Sequence, residues 1–524
     1  MTRTPCRSLS VRAALGAALA NKRANKLANK LANKLAAALA AALLCAGAPA
    51  SAASHVFLVQ NSGWMEPFYA DPASPFKPLV GAIVMAAVAP GDLMVLAAFN
   101  QGVADAPSPR ALLARKVDPA TRSQVEGALA NLEVARKPGG GAMADTDLSE
   151  AVKAAIGSAL AGKPGLVWLF TNNRNSPNND QATALRNRDF YELIHRGDAV
   201  SKAVAFPLKM PVQGRHYRAN GLMVYVFAIG EQGARELDAL LASGSIRKII
   251  TEPPARLKPL DRDTVRLVPH RVDDAPGVAF SMAPGGMLRA DVDANVRTPA
   301  ARIAWRLENT IYPYTIVAAT VSARSMLGGE ERPIALASAQ VADLAPGKSA
   351  PLASVMQLPA ARLPGKWSAQ AIASAGSAYV LPGRIELRLT GQRLELSREF
   401  RRRMAELFPG DPLPDIFTPP AAIKGSTALL PLEVAVHYGV APLMAAIAGA
   451  LALLGALGAA ALAFGKPRKA LLTVEDELRT VYARAGSTQP IFDKAGNKVA
   501  QLKTTLFGHQ LIDLREGAQV RLGR

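Results

Sequence analysis

The chain has 524 residues, enough for two to four domains, and half of them are apolar, so we expect a sizeable buried core. The formal charge is +20, but residues 1–53 carry eight basic residues and no acidic one, and no basic stripe alternates with aromatic residues. The charge therefore does not indicate nucleic-acid binding. The only cysteines are Cys6 and Cys45, which excludes a disulfide framework or a cysteine metal site in residues 54–524.

The N-terminus predicts a secretory signal peptide. A basic region is followed by the apolar run "LAAALAAALLCAGAPASA", which ends in small residues with A-x-A spacing. The repeat "ANKLANKLANKL" within this leader is low-complexity sequence without a predicted fold. We expect residues 1–53 to be removed on export, which leaves a mature chain without cysteine.

The next 200 residues alternate between short apolar runs and amphipathic stretches. The apolar runs, which predict strands, are "HVFLVQ", "GDLMVLAAFN", "PGLVWLFTNN" and "GLMVYVFAIG". Helices are predicted from Lys77 to Ala89 and in "DPATRSQVEGALANLE", "DTDLSEAVKAAIGSALAG", "NDQATALRNRDFYELIHRG" and "ARELDALLASG". This alternation predicts a doubly wound, mostly parallel α/β sheet, which binds ligands at the carboxyl ends of its strands.

Three polar loops follow predicted strands or precede a predicted helix: Gln60–Met65, Gly139–Asp147 and Thr171–Asn173. Their order, strand-"QNSGWM", "DTDLSEAV" at a helix start, then strand-"FTNN", resembles the von Willebrand factor type A (VWA) domain over roughly Ser54 to Ile250. That family's metal site combines a D-x-S-x-S loop after the first strand, a Thr before a mid-domain helix, and an Asp in a T-D-G turn.

The resemblance implies which residues stand at the metal-site positions. In the family's order they are Gln60 and Asn172 for the two Asp residues, Ser62 and Trp64 for the two Ser residues, and Thr146 for the Thr. Only Ser62 and Thr146 keep their residue type, and both carboxylates are replaced by neutral amides.

Mg²⁺ usually takes one or two carboxylate ligands, so these positions predict a degenerate MIDAS (metal-ion-dependent adhesion site) without a tight metal ion. Weak Mg²⁺ binding stays open, with a substitute carboxylate from Asp145, Asp147, Glu66 or Asp71. The loop around Trp64 is then either a plain turn or a protein-recognition loop, because aromatic residues often anchor interfaces.

Short alternating runs between Thr251 and Thr390, "KWSAQAIAS" among them, predict strands of an immunoglobulin-like β-sandwich at 251–396. "SREFRRRMAELF" predicts an amphipathic helix. Its arginines, Arg398, Arg401, Arg402 and Arg403, form either a solvated face or a contact for anionic lipid or an acidic partner. The residues that follow, up to 436, predict a stiff Pro-rich linker.

The uncharged run from Val440 to Gly465 exceeds the roughly 20 residues that a membrane-spanning helix needs. Lys466, Arg468 and Lys469 follow at once, and positive charge favours the cytoplasmic side. We expect a single-pass protein of a bacterial inner membrane, spanning at 437–465, with its large N-terminal part in the periplasm. The tail, 466–524, predicts a small β-rich cytoplasmic domain with a helix in "TVEDELRTVYARA".

No H-E-x-x-H, G-x-S-x-G or G-x-G-x-x-G motif marks catalytic chemistry, so we do not expect an enzyme. The expected function is protein–protein binding or scaffolding at the cell envelope, with an unknown protein partner and no nucleic acid. One alternative is a single-span receptor that couples an exported ligand-binding domain to the cytoplasmic tail. Another is hydrolase-like chemistry with Ser62 as the nucleophile.

Overall fold

A computed structural model describes residues 52–139, 141–175, 180–273, 275–283, 285–295, 300–357, 363–410 and 414–523. The predicted leader, with Cys6 and Cys45, lies almost entirely outside the described residues. The chain forms two compact units, one from residues up to Leu260 together with Leu396–Pro420, the other from Asp261–Glu395 and Ala421–Arg524.

The helices of the described residues differ widely in length, from one turn to seven. In chain order they are α1 (Glu66–Ala70), α2 (Phe76–Ala87), α3 (Thr121–Ala130), α4 (Leu148–Ala154), α5 (Asp180–His195), α6 (Gly230–Ser243), α7 (Ala369–Ala373), α8 (Arg398–Leu407) and α9 (Ala441–Gly465). A single π-helical segment, Ala155–Ala159, continues α4.

The first unit contains a seven-stranded mixed sheet in the order β3-β2-β1-β4-β6-β5-β7. Its strands are β1 (Ser54–Gln60), β2 (Leu93–Phe99), β3 (Arg110–Lys116), β4 (Gly165–Thr171), β5 (Val200–Gln213), β6 (Arg218–Ile229) and β7 (Ala255–Lys258). Only the pairs β1–β2 and β1–β4 are parallel, and the other four are antiparallel. The prediction of a mostly parallel sheet is therefore wrong.

The reason is a long hairpin that the apolar pattern does not reveal. β5 contains Pro207 and Pro211, which ordinarily argue against a central strand. Its partner β7 pairs only with Ala203–Ala205, so Pro207 lies beyond the end of that ladder and needs no N–H donor there. On its other side β5 pairs with β6 in an antiparallel register.

Helices cover both faces of this sheet, as the sequence predicts. Apolar side chains of α2, α3 and α6, including Val80, Val125 and Leu237, share one buried cluster with alternate residues of β1, β4 and β6. On the opposite face Phe190 of α5 packs edge-on against Tyr225 and Phe227 of β6. The α/β layering follows from burial of both sheet faces.

Residues 397–436, predicted to be a helix and a Pro-rich linker, contain a helix and most of a strand in the structure. Helix α8 belongs to the first unit, with Phe400 and Leu407 buried, and Ser397 accepts a hydrogen bond from Phe400 N at its N-terminus. Arg403 donates to Glu252 and to the carbonyl of Pro207, both at 2.9 Å. The helix prediction is confirmed, whereas residues 425–437 form a strand instead of a linker.

The second unit is β-rich, with ten strands hydrogen-bonded in the order β8-β11-β15-β13-β12-β16-β17-β10-β9 and with β14 paired to β12. They are β8 (Val265–Asp273), β9 (Val278–Ala283), β10 (Met287–Asp293), β11 (Ala300–Asn309), β12 (Tyr314–Leu327), β13 (Glu330–Leu336), β14 (Gln340–Leu344), β15 (Ser349–Gln357), β16 (Ala378–Leu396) and β17 (Gly425–His437). The predicted strand "KWSAQAIAS" is wrong: its Ser368 accepts a hydrogen bond from Ala371 N and begins the short helix α7.

A buried asparagine organises one turn of this unit. Asn309 Nδ2 donates to the carbonyls of Tyr314 and Leu344, both at 2.8 Å, and its Oδ1 accepts from Ile311 N at 2.9 Å. The side chain thereby pairs backbone groups that would otherwise be buried without partners, a loss that costs about 1–3 kcal/mol for each group.

Among the described residues one helix is long and apolar enough to span a membrane. This span lies within α9, from Ala441 to Leu462, has a mean hydropathy of 2.1, and contains an 18-residue apolar window with no residue buried within the protein. His437, which the prediction included in the span, is the last residue of β17.

The tail after α9 forms two three-stranded sheets, β19-β18-β23 and β20-β21-β22, around one small buried core. The strands are β18 (Arg468–Val474), β19 (Glu477–Ala483), β20 (Thr488–Phe492), β21 (Lys498–Thr504), β22 (His509–Ile512) and β23 (Val520–Leu522). The helix predicted for "TVEDELRTVYARA" is wrong. Glu475 and Asp476 both have positive φ and form the two-residue turn of a hairpin in which Val474 pairs with Glu477.

The packing of α8 on β6 leaves no room for a side chain at Gly221. A Cβ atom there would lie 2.9 Å from Leu407 Cβ and 3.0 Å from the Phe408 ring. We expect Gly221→Ala to lower the unfolding free energy by about 1–3 kcal/mol, because overpacking displaces the helix. Gly127→Ala in α3, where nothing lies within 4 Å, is the matched control and should stabilise by up to about 1 kcal/mol. Denaturant titration of the detergent-solubilised chain measures the unfolding free energy of both variants. If Gly221→Ala unfolds at the same denaturant midpoint as the unchanged chain, the tight packing at Gly221 is contradicted.

Burial of His55 in β1 makes the first unit sensitive to acid. His55 is 4% exposed, and its burial lowers its pKa from 6.5 to about 4, although Asp92 opposes the shift. The fold favours the neutral imidazole, so this contribution is complete above pH 6.5 and is lost as the pH falls towards 4, by about 3 kcal/mol at most. The protection factors of β1 amides, which correct exchange rates for their intrinsic pH dependence, should fall as the pH drops through this range. His55→Leu should flatten the profile and the exposed control His216→Leu should not.

Candidate functional site

The site lies where β1 and β4 end side by side. The two strands are parallel and pair up to Val59 and Phe170, so Gln60 and Thr171, the last residues of the strands, are neighbours at one edge of the sheet. Gln60, Thr171 and Thr146 are all 0% exposed. Polar side chains from three distant segments therefore meet inside the protein.

The carboxamide of Gln60 is the centre of this network. Its nitrogen Nε2 donates to Ser62 Oγ at 2.7 Å and to Thr146 Oγ1 at 3.0 Å. Its oxygen Oε1 accepts from Thr171 Oγ1 at 2.5 Å and from the backbone N–H of Asn172 at 3.2 Å. A backbone N–H can only donate, which fixes Oε1 on that side and the NH₂ group on the side of the two hydroxyls. All four hydrogen-bonding positions of the amide are used.

The two hydroxyls that the NH₂ group contacts also contact each other. Thr146 Oγ1 donates to Ser62 Oγ at 2.5 Å, and the backbone N–H of Gly63 donates to the carbonyl of Ala144 at 2.9 Å, which ties the two loops together. A Cβ atom at Gly63 would lie 2.6 Å from Met143 Cβ, so only glycine permits this approach.

Asn172 and Trp64 belong to a second, adjoining cluster. Asn172 Nδ2 donates to the carbonyl of Trp64 at 2.6 Å and to the hydroxyl of Tyr217 at 3.2 Å. Tyr217 also donates to the Trp64 carbonyl and packs edge-on against the Trp64 ring, with the ring centroids 5.3 Å apart. Burial raises the pKa of Tyr217, so its hydroxyl stays protonated and remains a donor.

Trp64 is consequently half-buried and held on two sides. The Arg174 guanidinium lies 5.0 Å from the centre of the indole ring, and Arg174 also donates to the carbonyl of Pro409 at 2.9 Å. The ring is a packed element of the loop rather than a freely exposed anchor.

The donor set does not fit a divalent ion. A cation between Ser62 and Thr146 would meet the positive end of the Gln60 amide, since Nε2 already donates to both hydroxyls. The site has no carboxylate to offset that repulsion, and taking a bare cation out of water without a negative ligand is strongly unfavourable. Among the described residues no group of three or more His, Cys, Asp or Glu side chains has metal-binding geometry.

The four carboxylates considered as substitutes have other partners. Asp145 pairs with Lys137 at 2.6 Å, and Asp147 accepts from Glu150 N at the start of α4. Glu66 accepts from the backbone N–H of Arg215, and Asp71 accepts from that of Gln213. Each is bound to a cation or a backbone donor instead of the hydroxyl pair.

Ser62 also lacks the surroundings of a nucleophile. Its hydroxyl bonds to Gln60 and Thr146, and among the described residues no histidine contacts it. A general base within hydrogen-bond reach, which a serine nucleophile requires, is therefore missing from its contacts.

A cleft of 860 Å³ opens beside the buried network. It lies between the loop after β2 and the segment that leads into α4, near the carboxyl ends of β1 and β2, where α/β sheets bind their ligands. Its lining is about half polar and carries both signs of charge, with Arg110, Arg136, Lys137, Asp105, Glu133 and Asp145 among its residues.

The structure brings all five predicted residues to one edge of the sheet, but in two clusters, with Gln60, Ser62 and Thr146 in one and Trp64 and Asn172 in the other. Sequence reasoning missed Tyr217 and Arg174, and it named Thr171 only as the first residue of a polar loop, without a role in the site. Tyr217 lies on the β5–β6 hairpin, 45 residues from Asn172, and no local pattern marks it.

No family model matches this chain, and no curated protein matches it either.

If the Gln60 amide occupies the place of a cation, restoring the charges should create a metal site. We expect Gln60→Asp/Asn172→Asp to bind Mg²⁺ and Mn²⁺, because the shorter side chain frees both hydroxyls and supplies a carboxylate. Gln60→Asn is the matched control, since it has the same side-chain lengths at both positions without charge. Calorimetric titration of the full chain in detergent should show heat for the double variant only. Binding by the native chain would show that the amide does not block the position.

Proposed function

We propose that this chain is a membrane-anchored, exported protein that binds another protein at the cell envelope through a VWA-like domain without a tight metal ion. Support comes from the meeting of Gln60, Ser62, Thr146 and Asn172 at one sheet edge, although up to 112 residues separate them. The resemblance to the VWA motif assigns these residues to one site, and their geometry agrees with that assignment.

The proposed location follows from the two apolar segments and the charges beside them. A cleaved leader would export the chain, and the span Ala441–Leu462 would hold it in the inner membrane. Lys466, Arg468 and Lys469 come directly after α9 and favour a cytoplasmic tail, which leaves the α/β unit and the β-rich unit's main sheet in the periplasm. We propose an immunoglobulin-like sandwich for that sheet.

The observation that carries the binding proposal is the cleft beside the amide network. Ser62 and Thr146 are fully buried and cannot touch a partner, so the contact surface must be formed by neighbouring loops. The cleft is large enough for several side chains of a partner, and its lining includes charged residues of both signs in addition to the Lys137–Asp145 ion pair. The turn after β1 that carries the buried network also holds the wall of the cleft in place. Asn61, the residue after Gln60 in this turn, donates to the carbonyl of Glu133 in the cleft wall at 3.1 Å.

A receptor function is the second candidate, and the tail favours it. Residues 468–523 form a folded module with its own buried core, including Leu472, Val474 and Leu502. A plain anchor would need no such core. In a receptor, deleting residues 470–524 would abolish a cellular response while leaving partner binding outside the membrane unchanged.

Site-specific photo-crosslinking tests the binding surface. We expect a photoreactive residue at Val103, which is 44% exposed and lines the cleft, to give a discrete adduct with an envelope protein in intact cells. The same residue at Leu185, which is 58% exposed on α5, should give none. Mass spectrometry of the adduct identifies the partner. The same adduct from both positions, or none from Val103, would place the interaction elsewhere.

A further inference from the structure

The tail carries an exposed apolar turn close to the membrane-spanning helix. Between β21 and β22, Phe507 is 98% exposed and Leu506 is 49% exposed, although folded domains seldom leave two neighbouring large apolar side chains in water. Neither residue belongs to the core of the tail.

Hydrogen bonds define the conformation of this turn. Thr504 pairs with His509, and Thr505 N donates to the carbonyl of Gly508 at 2.8 Å. The hydroxyl of Thr505 donates to the same carbonyl at 3.1 Å. These bonds close a four-residue turn that presents Leu506 and Phe507 at its tip.

One hydrogen bond connects this tip to the end of the span. Arg468 Nη1 donates to the carbonyl of Leu506 at 2.9 Å, and Arg468 is only three residues after Gly465, the last residue of α9. Three extended residues cover about 10 Å. A helix that spans the bilayer therefore places the Leu506–Phe507 tip at the level of the lipid headgroups.

The charges around the tip match the surface of an anionic leaflet. Lys466, Arg468, Lys469 and Lys503 lie on the segments that lead to and from it, and residues 466–474 and 498–510 contain no acidic residue. Basic residues near a membrane are attracted to anionic lipids, and aromatic side chains are favoured in the interfacial region.

We propose that the turn Thr505–Gly508 is a membrane-docking site, at which Leu506 and Phe507 insert into the anionic inner leaflet. The insertion holds the tail against the membrane instead of letting it swing on the two residues after the span. This proposal rests on the membrane anchoring proposed above, and the occupant of the apolar tip is the lipid bilayer.

Spin-label depth measurement on the full chain, reconstituted in phosphatidylcholine–phosphatidylglycerol vesicles, tests the proposal. Cys6 and Cys45 are first replaced by alanine, and single cysteines are then labelled at Leu506, at Ala495 or at Leu454. Ala495 lies in the β20–β21 turn, at the opposite end of β21 from the tip, and is the matched control. Leu454 lies in the middle of α9 and reports on the span itself.

We expect the label at Leu506 to collide several-fold more with oxygen, relative to a water-soluble nickel chelate, than the label at Ala495. Adding Phe507→Ser should return the Leu506 label to the value found at Ala495. A Leu454 label inside the bilayer together with a Leu506 label in water would overturn the docking and leave the span intact. A Leu454 label in water would overturn both the span and the docking.

Discussion

The buried amide of Gln60 is the interaction on which the rest of this sheet edge depends. It uses two donors and two acceptors to hold hydroxyls from the turn after β1, the segment before α4 and the end of β4. Inside a protein an unpaired polar group costs about 1–3 kcal/mol, so a fully paired amide specifies the positions of all its partners. The loops that meet here are fixed by neutral hydrogen bonds where a VWA metal site uses a cation and carboxylates.

The length of the side chain explains this difference. Glutamine has one methylene more than aspartate, and this carries its NH₂ group to the position between Ser62 and Thr146. An aspartate at residue 60 would end short of that position and leave it open for an ion. In the proposed function, side chains around the adjacent cleft would contact a partner where a metal ion would otherwise coordinate an acidic ligand. Trp64 is packed against Tyr217 and Arg174.

The proposed docking of the tail also depends on a hydrogen bond between segments that are distant in the chain. If α9 spans a membrane as proposed, the bond from Arg468 to Leu506 keeps the turn between β21 and β22 near the end of that span. In the proposed docking, the exposed side chains of Leu506 and Phe507 would contact the bilayer instead of water. The folded core of the tail makes this arrangement persistent, because β18 carries both Arg468 and the buried Leu472.

The sequence by itself determined the features that depend on local pattern. Apolar runs located β1, β2, β4 and β6, and helical periodicity located α2 to α6 and α8. The uncharged stretch after Val440 located α9, a helix long and apolar enough to span a membrane. The polar loops beside the predicted strands and helix, together with the resemblance to the VWA motif, also indicated Gln60, Ser62, Trp64, Thr146 and Asn172. Tertiary structure alone decided the pairing of β5, the Tyr217 contact with Trp64, and the hairpin at Glu475 and Asp476. The physical reason is that the ladders of β5 with β7 and of β18 with β23, and the hydrogen bond from Tyr217 to Trp64, join residues far apart in the chain. Such bonds compensate for unfavourable local conformations. Examples are the prolines within β5 and the left-handed conformation of Glu475 and Asp476.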